Sequence, residues 1–247
     1  MTLEEFFHTV PKAAAAFSGG TDSALLLWAA KRYGCDVRAY YVKTPFQPRF
    51  EYEDACRLAR ELDVLMSVVE LDVLTVPEAA ANGPQRCYHC KRALFNRLWE
   101  TVRRDGYPVL LDGTNASDEA GDRPGMRALR ELEVRSPLRE CGLTKADIRR
   151  LSREAGLFTW DKPAYACLAT RIPTGEAITG EILARVEGAE DALFRLGYTD
   201  FRVRVFHGAA RLQLPAGQLE RAVRERAVLR AALAPYFKPI LLDLEER

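Results

Sequence analysis

Apolar and polar residues alternate in two regular ways along the first part of the chain. Short apolar runs bounded by turn-forming or charged residues predict strands at 13–17, 37–42, 65–71 and 109–111. Segments with apolar residues at helical spacing predict helices at 22–33, 49–62, 90–103 and 145–155. Strands and helices that alternate in this way predict an α/β fold, in which helices cover both faces of a parallel sheet.

The pattern changes beyond a predicted loop at 157–175, which carries two prolines and a cysteine. The following helices are predicted at 181–196 and 219–233. The accompanying short strands are predicted at 201–206, 211–214 and 239–244. We therefore predict two domains, a sheet domain over 1–170 and a small α+β domain over 171–247 that serves substrate binding or oligomerisation.

Composition narrows the class of protein. The 247 residues are 48% apolar and 29% charged, which is ordinary for a soluble globular chain. The formal net charge of +1 gives no support to a general nucleic-acid partner. No apolar run approaches membrane-spanning length, and the acidic start of the chain does not resemble a signal peptide. We expect a cytoplasmic protein without a membrane partner.

A glycine-rich loop follows the first predicted strand and opens the first helix. It contains Ser18, Gly19, Gly20, Asp22 and Ser23 within the string Ser-Gly-Gly-Thr-Asp-Ser. Glycines let the backbone approach a ligand closely, and the N–H groups at a helix start attract anions. The serine hydroxyls add donors, whereas the acceptor-only Asp22 suits Mg²⁺ or a helix cap. The loop predicts a phosphate site; the alternative is a plain turn before a capped helix.

This string resembles the PP-loop of the ATP pyrophosphatase group, which includes NAD synthetases, GMP synthetases and tRNA-thiolating enzymes. It is not a Walker A loop, because no Gly-Lys-Ser/Thr follows. The resemblance implies that ATP is cleaved between its α and β phosphates and that AMP is transferred to a substrate oxygen. The loop and Mg²⁺ would then hold the departing pyrophosphate.

Polar residues also follow the fourth predicted strand. The loop Asp-Gly-Thr-Asn-Ala-Ser-Asp starts at Asp112, and Gly-Asp-Arg-Pro-Gly-Met-Arg comes soon after it. Because ligands of open α/β sheets bind beyond the carboxyl ends of the strands, this loop is a second candidate for the ligand site. We predict that Asn115, Asp118, Arg123 and Arg127 surround a charged substrate. The alternative is a polar loop followed by a helix.

Two further segments contain arginines. Arg171 lies in Trp-Asp-Lys-Pro-Ala-Tyr-Ala-Cys-Leu-Ala-Thr-Arg-Ile-Pro-Thr-Gly, and Arg202 and Arg204 lie two apart in Phe-Arg-Val-Arg-Val-Phe. Residues two apart on a strand share one face, and two guanidiniums there suit a phosphate or a carboxylate. We predict that the three arginines bind the substrate, although a solvated strand face would show the same pattern.

Together these segments resemble the LarE family of sulfur transferases, which help to make the nickel-pincer nucleotide cofactor of lactate racemase. The resemblance covers nearly the whole chain and rests on the motifs around Asp112, Cys167 and Arg202. It implies that ATP is used to adenylylate a carboxylate of pyridinium-3,5-biscarboxylic acid mononucleotide, which becomes a thiocarboxylate. One position departs from the family: Gln213 stands where an acidic residue often occurs, so no metal role is assigned to it.

The resemblance gives three of the six cysteines a role. Cys167 matches the residue that supplies or binds sulfur, and Cys87 and Cys90 form a Cys-x-x-Cys pair. One branch of the family holds a [4Fe-4S] cluster with all three, which leaves one iron open for a hydrosulfide. Two alternatives stand beside the cluster. In the first, Cys167 gives up its sulfur and becomes dehydroalanine, while Cys87 and Cys90 are structural or redox-active. In the second, Cys87 and Cys90 belong to a zinc site. The other three cysteines are predicted to be structural: Cys35, Cys56 and Cys141.

Three other functions fit parts of the sequence. A tRNA thiolase shares the loop and a three-cysteine cluster, but the near-zero net charge and the missing RNA-binding extension argue against it. A non-catalytic nucleotide-binding module is the second. An ammonia-using amidating ligase, in which the three cysteines have no evident role, is the third. The expected partners are the mononucleotide, sulfide or another sulfur donor, and further copies of the chain in a homo-oligomer.

Overall fold

The computed structural model describes residues 1–118 and 124–245. The chain forms two compact units, the first comprising 1–76 and 85–164 and the second 77–84 and 165–247. Compactness does not by itself show that either unit folds or functions alone. The division into domains 1–170 and 171–247 therefore stays a prediction.

The first unit contains a parallel sheet and the helices that cover it. Its strands are β1 (Lys12–Ala16), β2 (Asp36–Lys43), β3 (Met66–Glu70) and β4 (Leu110–Leu111). Its helices are α1 (Leu3–Thr9), α2 (Thr21–Arg32), α3 (Arg49–Glu61), α5 (Arg86–Arg104), α6 (Pro124–Glu131), α7 (Pro137–Glu140) and α8 (Lys145–Glu154). The short helix α4 (Pro77–Ala80) belongs to the second unit.

The sheet of the first unit has the strand order β3-β2-β1-β4, and its strand pairs are parallel. Ala15 on β1 lies between Ala39 on β2 and Leu111 on β4. The chain thus runs outward from β1 through β2 and β3, and then returns to the other side of β1 as β4. In such sheets the reversal of strand order opens a crevice at the carboxyl ends of the two strands concerned, here β1 and β4.

Apolar packing covers both faces of this sheet, which confirms the predicted α/β class. On one face Phe6 and Leu25, from α1 and α2, belong to a buried core that includes Ala13 and Ala15 of β1. Opposite them, Ala14 packs in a second core with residues of α5 such as Leu98. The alternating alanines of β1 fit this arrangement, because small side chains let helices approach the sheet from either side.

The second unit contains a small mixed sheet and helices, as the predicted α+β pattern requires. Its other helices are α9 (Gly180–Arg195), α10 (Ala216–Arg224) and α11 (Arg226–Leu233), and its strands are β5 (Arg202–Phe206), β6 (Ala209–Gln213) and β7 (Ile240–Leu242). The order is β5-β6-β7, with β5 and β6 antiparallel and β6 and β7 parallel. Asn82 connects the segment 77–84 to the rest of this unit, because its side-chain amide donates to the Pro173 carbonyl at 2.8 Å.

Two predicted helices differ in extent from the structure, one of them α5, which begins at Arg86 rather than at Cys90. The helices α1, α4 and α7 were not predicted. The segment 219–233 is two helices that meet at Glu225 rather than one. The Glu225 carboxylate accepts a hydrogen bond from Arg221 one helical turn earlier and another from Tyr198, and the second is a tertiary contact that the local pattern does not reveal. Helix α1 was missed, although Thr2 and Glu5 form a capping box that marks its start.

Candidate active site

The phosphate loop connects β1 to α2 and lies directly against α3. Gly19 has φ of +73°, a conformation that glycine adopts without strain. A Cβ added at Gly19 would lie 2.9 Å from the backbone nitrogen of Ala55 and 3.0 Å from the carbonyl oxygen of Glu51. Both the backbone conformation and the close packing therefore require glycine at this position.

Helix α2 begins immediately after Gly20, which is its N-cap and has no side chain to cap it. The first N–H groups of a helix have no partner within the helix, so those of Thr21, Asp22 and Ser23 point toward the loop. The hydroxyls of Ser18 and Ser23 lie 3.2 Å apart, and the Ser23 hydroxyl donates to the Gly20 carbonyl at 3.2 Å. Donors and the positive end of the helix dipole converge here, which is the chemistry of an anion site.

The loop after β4 packs on the start of α2, at the crevice that the strand order predicts. A Cβ at Gly113 would lie 3.0 Å from the backbone nitrogen of Ser23. The preceding Asp112 is buried and accepts hydrogen bonds from the hydroxyls of Thr114 at 2.5 Å and Ser136 at 2.6 Å. These bonds fix the loop, so two segments about 90 residues apart in sequence form one surface.

The side chains of Asn115 and Asp118 form hydrogen bonds within and beside this loop. The Asn115 side chain is buried, accepts from the backbone N–H of Ser117 at 2.8 Å, and donates to Asp22 at 3.3 Å. Asp118 accepts from the backbone N–H of Asn115 at 2.9 Å. In these contacts both residues shape the loop that carries them, and their predicted contact with substrate stays a prediction.

Two lysines that the sequence analysis did not single out flank the phosphate loop. Lys145 donates to Asp22 at 2.5 Å, and Lys162 donates to Asp54 at 2.6 Å. The Lys162 ammonium also lies 3.5 Å from the carbonyl oxygen of Gly19. Their positions in sequence, more than 120 residues after the loop, carry no local signal that they belong to it.

Arg127 lies on α6. Its guanidinium stacks on the Tyr88 ring at 4.0 Å and forms an ion pair with Glu131 at 3.7 Å. It also donates to Gln85 at 3.4 Å. These contacts attach α6 to the first turn of α5. The other arginine predicted in this segment, Arg123, lies outside the described residues.

The Cys-x-x-Cys pair occupies the first turns of α5. Cys87 is exposed and Cys90 is half-buried, and residues three apart on a helix lie on the same side. The Arg86 guanidinium lies 3.6 Å from the Cys87 sulfur. Cysteine sulfur is the donor that iron–sulfur clusters and structural zinc sites take from proteins. The pair therefore fits, by donor chemistry, half of a cluster site.

Among the described residues, no three His, Cys, Asp or Glu side chains are gathered in a way that would hold a metal ion. Cys87 and Cys90 belong to the first unit, and Cys167 belongs to the second. A site that uses all three stays a prediction. For Mg²⁺, the half-exposed carboxylate of Asp22 beside the phosphate loop is the oxygen donor that this cation prefers, usually together with phosphate oxygens.

In the second unit, the segment that carries Cys167 is held by Arg171. Cys167 is half-buried and precedes a 3₁₀ turn, Leu168–Arg171. Arg171 is 1% exposed and donates to the carbonyl of Ala166 at 2.7 Å. Its other nitrogens donate to the carboxylate of Glu190 on α9 at 2.8 and 3.1 Å. Arg171 is thus a buried structural ion in these contacts, and its predicted contact with substrate stays a prediction.

Arg202 and Arg204 lie near this ion pair on β5. The Arg202 guanidinium is 4.9 Å from the Tyr165 ring, and the Arg171 guanidinium is 4.4 Å from the same ring. Burial, and then the charge of Arg171, lower the pKa of Arg202 to about 10. The same two causes lower the pKa of Arg204. The charge of Arg171 destabilises both the buried Arg202 and the half-buried Arg204, so a phosphate or carboxylate beside them would be bound favourably.

A cavity of about 350 Å³ opens beside these residues within the second unit. Thr170, Arg204 and Arg211 contribute to its lining. Arg204 donates to the Thr170 carbonyl at 2.8 Å and to the side chain of Gln213. Gln213 in turn donates to Asp243 at 3.0 Å. Gln213, the residue that departs from the family, thus links the Arg204 guanidinium to the Asp243 carboxylate. An acidic residue at this position would add a second negative charge.

Comparisons with known proteins are consistent with this site. An uncharacterized protein from Synechocystis is 38% identical over 224 residues, which is 90% of this chain and 84% of the relative. The pyridinium-3,5-bisthiocarboxylic acid mononucleotide synthase of Lactiplantibacillus plantarum is 33% identical over 98% of this chain and 89% of the relative. No protein-family model matches the chain.

A more distant similarity joins the chain to another class of sulfur-transferring enzyme. A tRNA-specific 2-thiouridylase of Thermotoga maritima is 26% identical over 188 residues, which is 59% of this chain and 52% of the relative. The similarity to the synthase extends over nearly the whole length of both chains, and the phosphate loop is the feature expected of the larger group. The chain therefore belongs to the LarE family of ATP-dependent sulfur transferases, within the PP-loop superfamily.

Proposed function

We propose that this enzyme adenylylates a carboxylate of pyridinium-3,5-biscarboxylic acid mononucleotide with ATP, releases pyrophosphate, and converts the carboxylate to a thiocarboxylate. The observation that carries the proposal is the phosphate loop, where Gly19 brings the backbone against α3 and α2 begins without a side-chain cap. The full-length relative named as a synthase of the bisthiocarboxylic acid mononucleotide supports this choice of substrate.

In the first step, an oxygen of the substrate carboxylate attacks the α-phosphorus of ATP. The bond from that phosphorus to the bridging oxygen breaks, and pyrophosphate leaves. The N–H groups at the start of α2 and the hydroxyls of Ser18 and Ser23 bind the negative charge that develops on pyrophosphate. Asp22 would hold Mg²⁺, which neutralises phosphate charge when it is bound.

In the second step, a sulfur nucleophile attacks the activated carbonyl carbon. The bond from that carbon to the AMP oxygen breaks, and AMP leaves with the electron pair. A thiolate or hydrosulfide is a better nucleophile than a thiol at neutral pH. Cys167, Cys87 and Cys90 would hold a [4Fe-4S] cluster, whose open iron supplies bound hydrosulfide when the cluster is present.

The second unit would bind the anionic groups of the mononucleotide. Burial and the charge of Arg171 lower the pKa values of Arg202 and Arg204, and a bound phosphate or carboxylate would offset that repulsion. Arg171 would position the segment that carries Cys167, because its guanidinium donates to the Ala166 carbonyl. Arg123 and Arg127 are proposed as further contacts of the substrate.

The source of sulfur is decided by an anaerobic experiment. The reconstituted protein is assayed for iron and sulfide and then given ATP and the dicarboxylate nucleotide. Pyrophosphate and thiocarboxylate that appear together support the proposed reaction. Stoichiometric iron that is lost in Cys87→Ala and Cys90→Ala, but retained in the control Cys56→Ala, supports the cluster.

Two other results would change the assignment of the sulfur donor or of the substrate. Iron-free protein that turns over once and then shows dehydroalanine at position 167 by mass spectrometry would establish Cys167 as a sacrificial donor. Salt-sensitive binding of tRNA, followed by its thiolation, would favour the tRNA-thiolating reaction of the more distant relatives. Absence of pyrophosphate release with the nucleotide would contradict the proposed function itself.

A further inference from the structure

The ion pair between Lys145 and Asp22 lies at the phosphate loop and has no role in the proposed chemistry so far. The Lys145 ammonium is 2.5 Å from one oxygen of Asp22, and Asn115 donates to the other oxygen at 3.3 Å. Asp22 is in the first turn of α2, beside the N–H groups that would bind pyrophosphate. An isolated carboxylate there would repel a polyphosphate.

The backbone of Lys145 is fixed in a position that does not favour a cation. Lys145 is the first residue of α8, which is capped by Thr144 and Asp147. Its backbone N–H donates to the Ser117 hydroxyl at 2.9 Å, which attaches it to the loop after β4. The positive end of a helix dipole disfavours an ammonium, so a local electrostatic preference does not explain this lysine. The partner that compensates for the unfavourable position is Asp22.

We propose that Lys145 is the counter-ion that neutralises Asp22 before a metal ion arrives, and so lets the phosphate loop accept a polyphosphate. When Mg²⁺ is present, its charge replaces that of Lys145 in neutralising Asp22. This inference rests on the proposed function of the loop and adds Lys145 as a positioning residue for Asp22.

The test measures binding of inorganic pyrophosphate by calorimetry, with EDTA and then with Mg²⁺. In EDTA we expect Lys145→Gln to bind at least about tenfold more weakly than wild type, because the charge of Asp22 is no longer compensated. The double variant Lys145→Gln/Asp22→Asn should regain the wild-type affinity in EDTA, since it restores the net charge of the site. With Mg²⁺, Lys145→Gln should fall within about threefold of wild type.

Lys31→Gln is the matched control. Lys31 is an exposed residue in the last turn of α2, at the opposite end of that helix from Asp22, and it pairs with Asp63 at 2.8 Å. We expect it to bind pyrophosphate as wild type does. Lys145→Arg keeps the charge and should bind pyrophosphate in EDTA more tightly than Lys145→Gln.

The outcomes separate the inference from the proposed function. An equal loss in EDTA and in Mg²⁺ for Lys145→Gln, without rescue by Asp22→Asn, would overturn the counter-ion role and leave Lys145 as a direct phosphate contact or a structural link. Unchanged affinity of Lys145→Gln in EDTA would overturn it as well. A wild-type protein that binds no pyrophosphate under either condition would remove both the inference and the function on which it rests.

Discussion

Arg171 and Glu190 form a bidentate ion pair inside the second unit, with Nε to Oε1 at 2.8 Å and Nη2 to Oε2 at 3.1 Å. Both side chains are almost completely removed from solvent. The remaining nitrogen of Arg171 holds the Ala166 carbonyl, and Glu190 also accepts from the backbone N–H of Val203 at 3.0 Å. The pair therefore joins three elements, α9, β5 and the segment that carries Cys167.

Replacement of Glu190 by glutamine should destabilise the protein strongly. The change leaves the guanidinium of Arg171 buried without its counter-charge, and breaking a buried pair in this way costs about 3–5 kcal/mol. Urea unfolding measures the loss. Glu154→Gln, which breaks the exposed pair with Arg150, is the control and should change the free energy of unfolding by less than about 0.5 kcal/mol. An unfolding midpoint for Glu190→Gln equal to that of wild type would contradict the structural role.

Gly19→Ala should weaken nucleotide binding, because the new Cβ would clash with the backbone of Ala55 and Glu51. Gly34→Ala is a matched control, since Gly34 has a similar φ of +76° but no atom within 4 Å of the added Cβ. The control should lose only the strain of a left-handed residue, about 1–2 kcal/mol, and keep its affinity for ATP. Gly19→Ala should lose more stability than this and weaken ATP binding at least about tenfold. Equal ATP affinity in the two variants would show that the loop does not bind ATP as proposed.

Gly113→Ala tests whether the loop after β4 forms one surface with the phosphate loop. The added Cβ would lie 3.0 Å from the Ser23 nitrogen, so either segment must shift by a few tenths of an ångström. We expect stability to change by less than about 1 kcal/mol, because Gly113 does not have a positive φ, whereas ATP affinity falls about tenfold. Gly83→Ala meets no atom within 4 Å and should leave ATP affinity unchanged, as titration with a fluorescent ATP analogue would measure. A wild-type affinity in Gly113→Ala would indicate that this contact is not part of the binding surface.

Cys35 should make stability decrease in alkaline solution. Burial, and then the charge of Asp36, raise the pKa of Cys35 to about 11, above its ordinary value of 9.0. The unfolded chain therefore loses this proton first, so the stabilisation is complete below about pH 9 and is lost as pH rises toward the folded pKa. The contribution is at most about 1.4 kcal/mol for each pH unit in this window.

Urea unfolding at about pH 8, pH 9 and pH 10 measures this slope in wild type and in Cys35→Ala. The variant should be less stable at the lowest pH, because a buried side chain is shortened, but its stability should decrease less steeply with pH. Parallel slopes in the two proteins would show that Cys35 does not contribute to the alkaline loss.

Several features were predictable because the interactions that produce them are local. The string from Ser18 to Ser23 contains both the glycines that a close backbone approach requires and the start of the helix that supplies N–H donors. The alternation of strands and helices, which predicted a parallel sheet, likewise comes from local patterns of apolar and polar residues. The split of the helix at Glu225 was not predictable, because the Glu225 carboxylate accepts a hydrogen bond from Tyr198, which lies in another part of the chain.

The sequence by itself determined the class of fold, the phosphate loop and the family, since each depends on residues that are neighbours in the chain or on a motif as a whole. Tertiary structure alone decided that Lys145 and Lys162 flank the loop and that Arg171 is buried against Glu190. Those contacts depend on which strands become neighbours and on how completely the packing excludes solvent. Neither quantity can be obtained from the local pattern of apolar and polar residues, because both arise when distant segments come together.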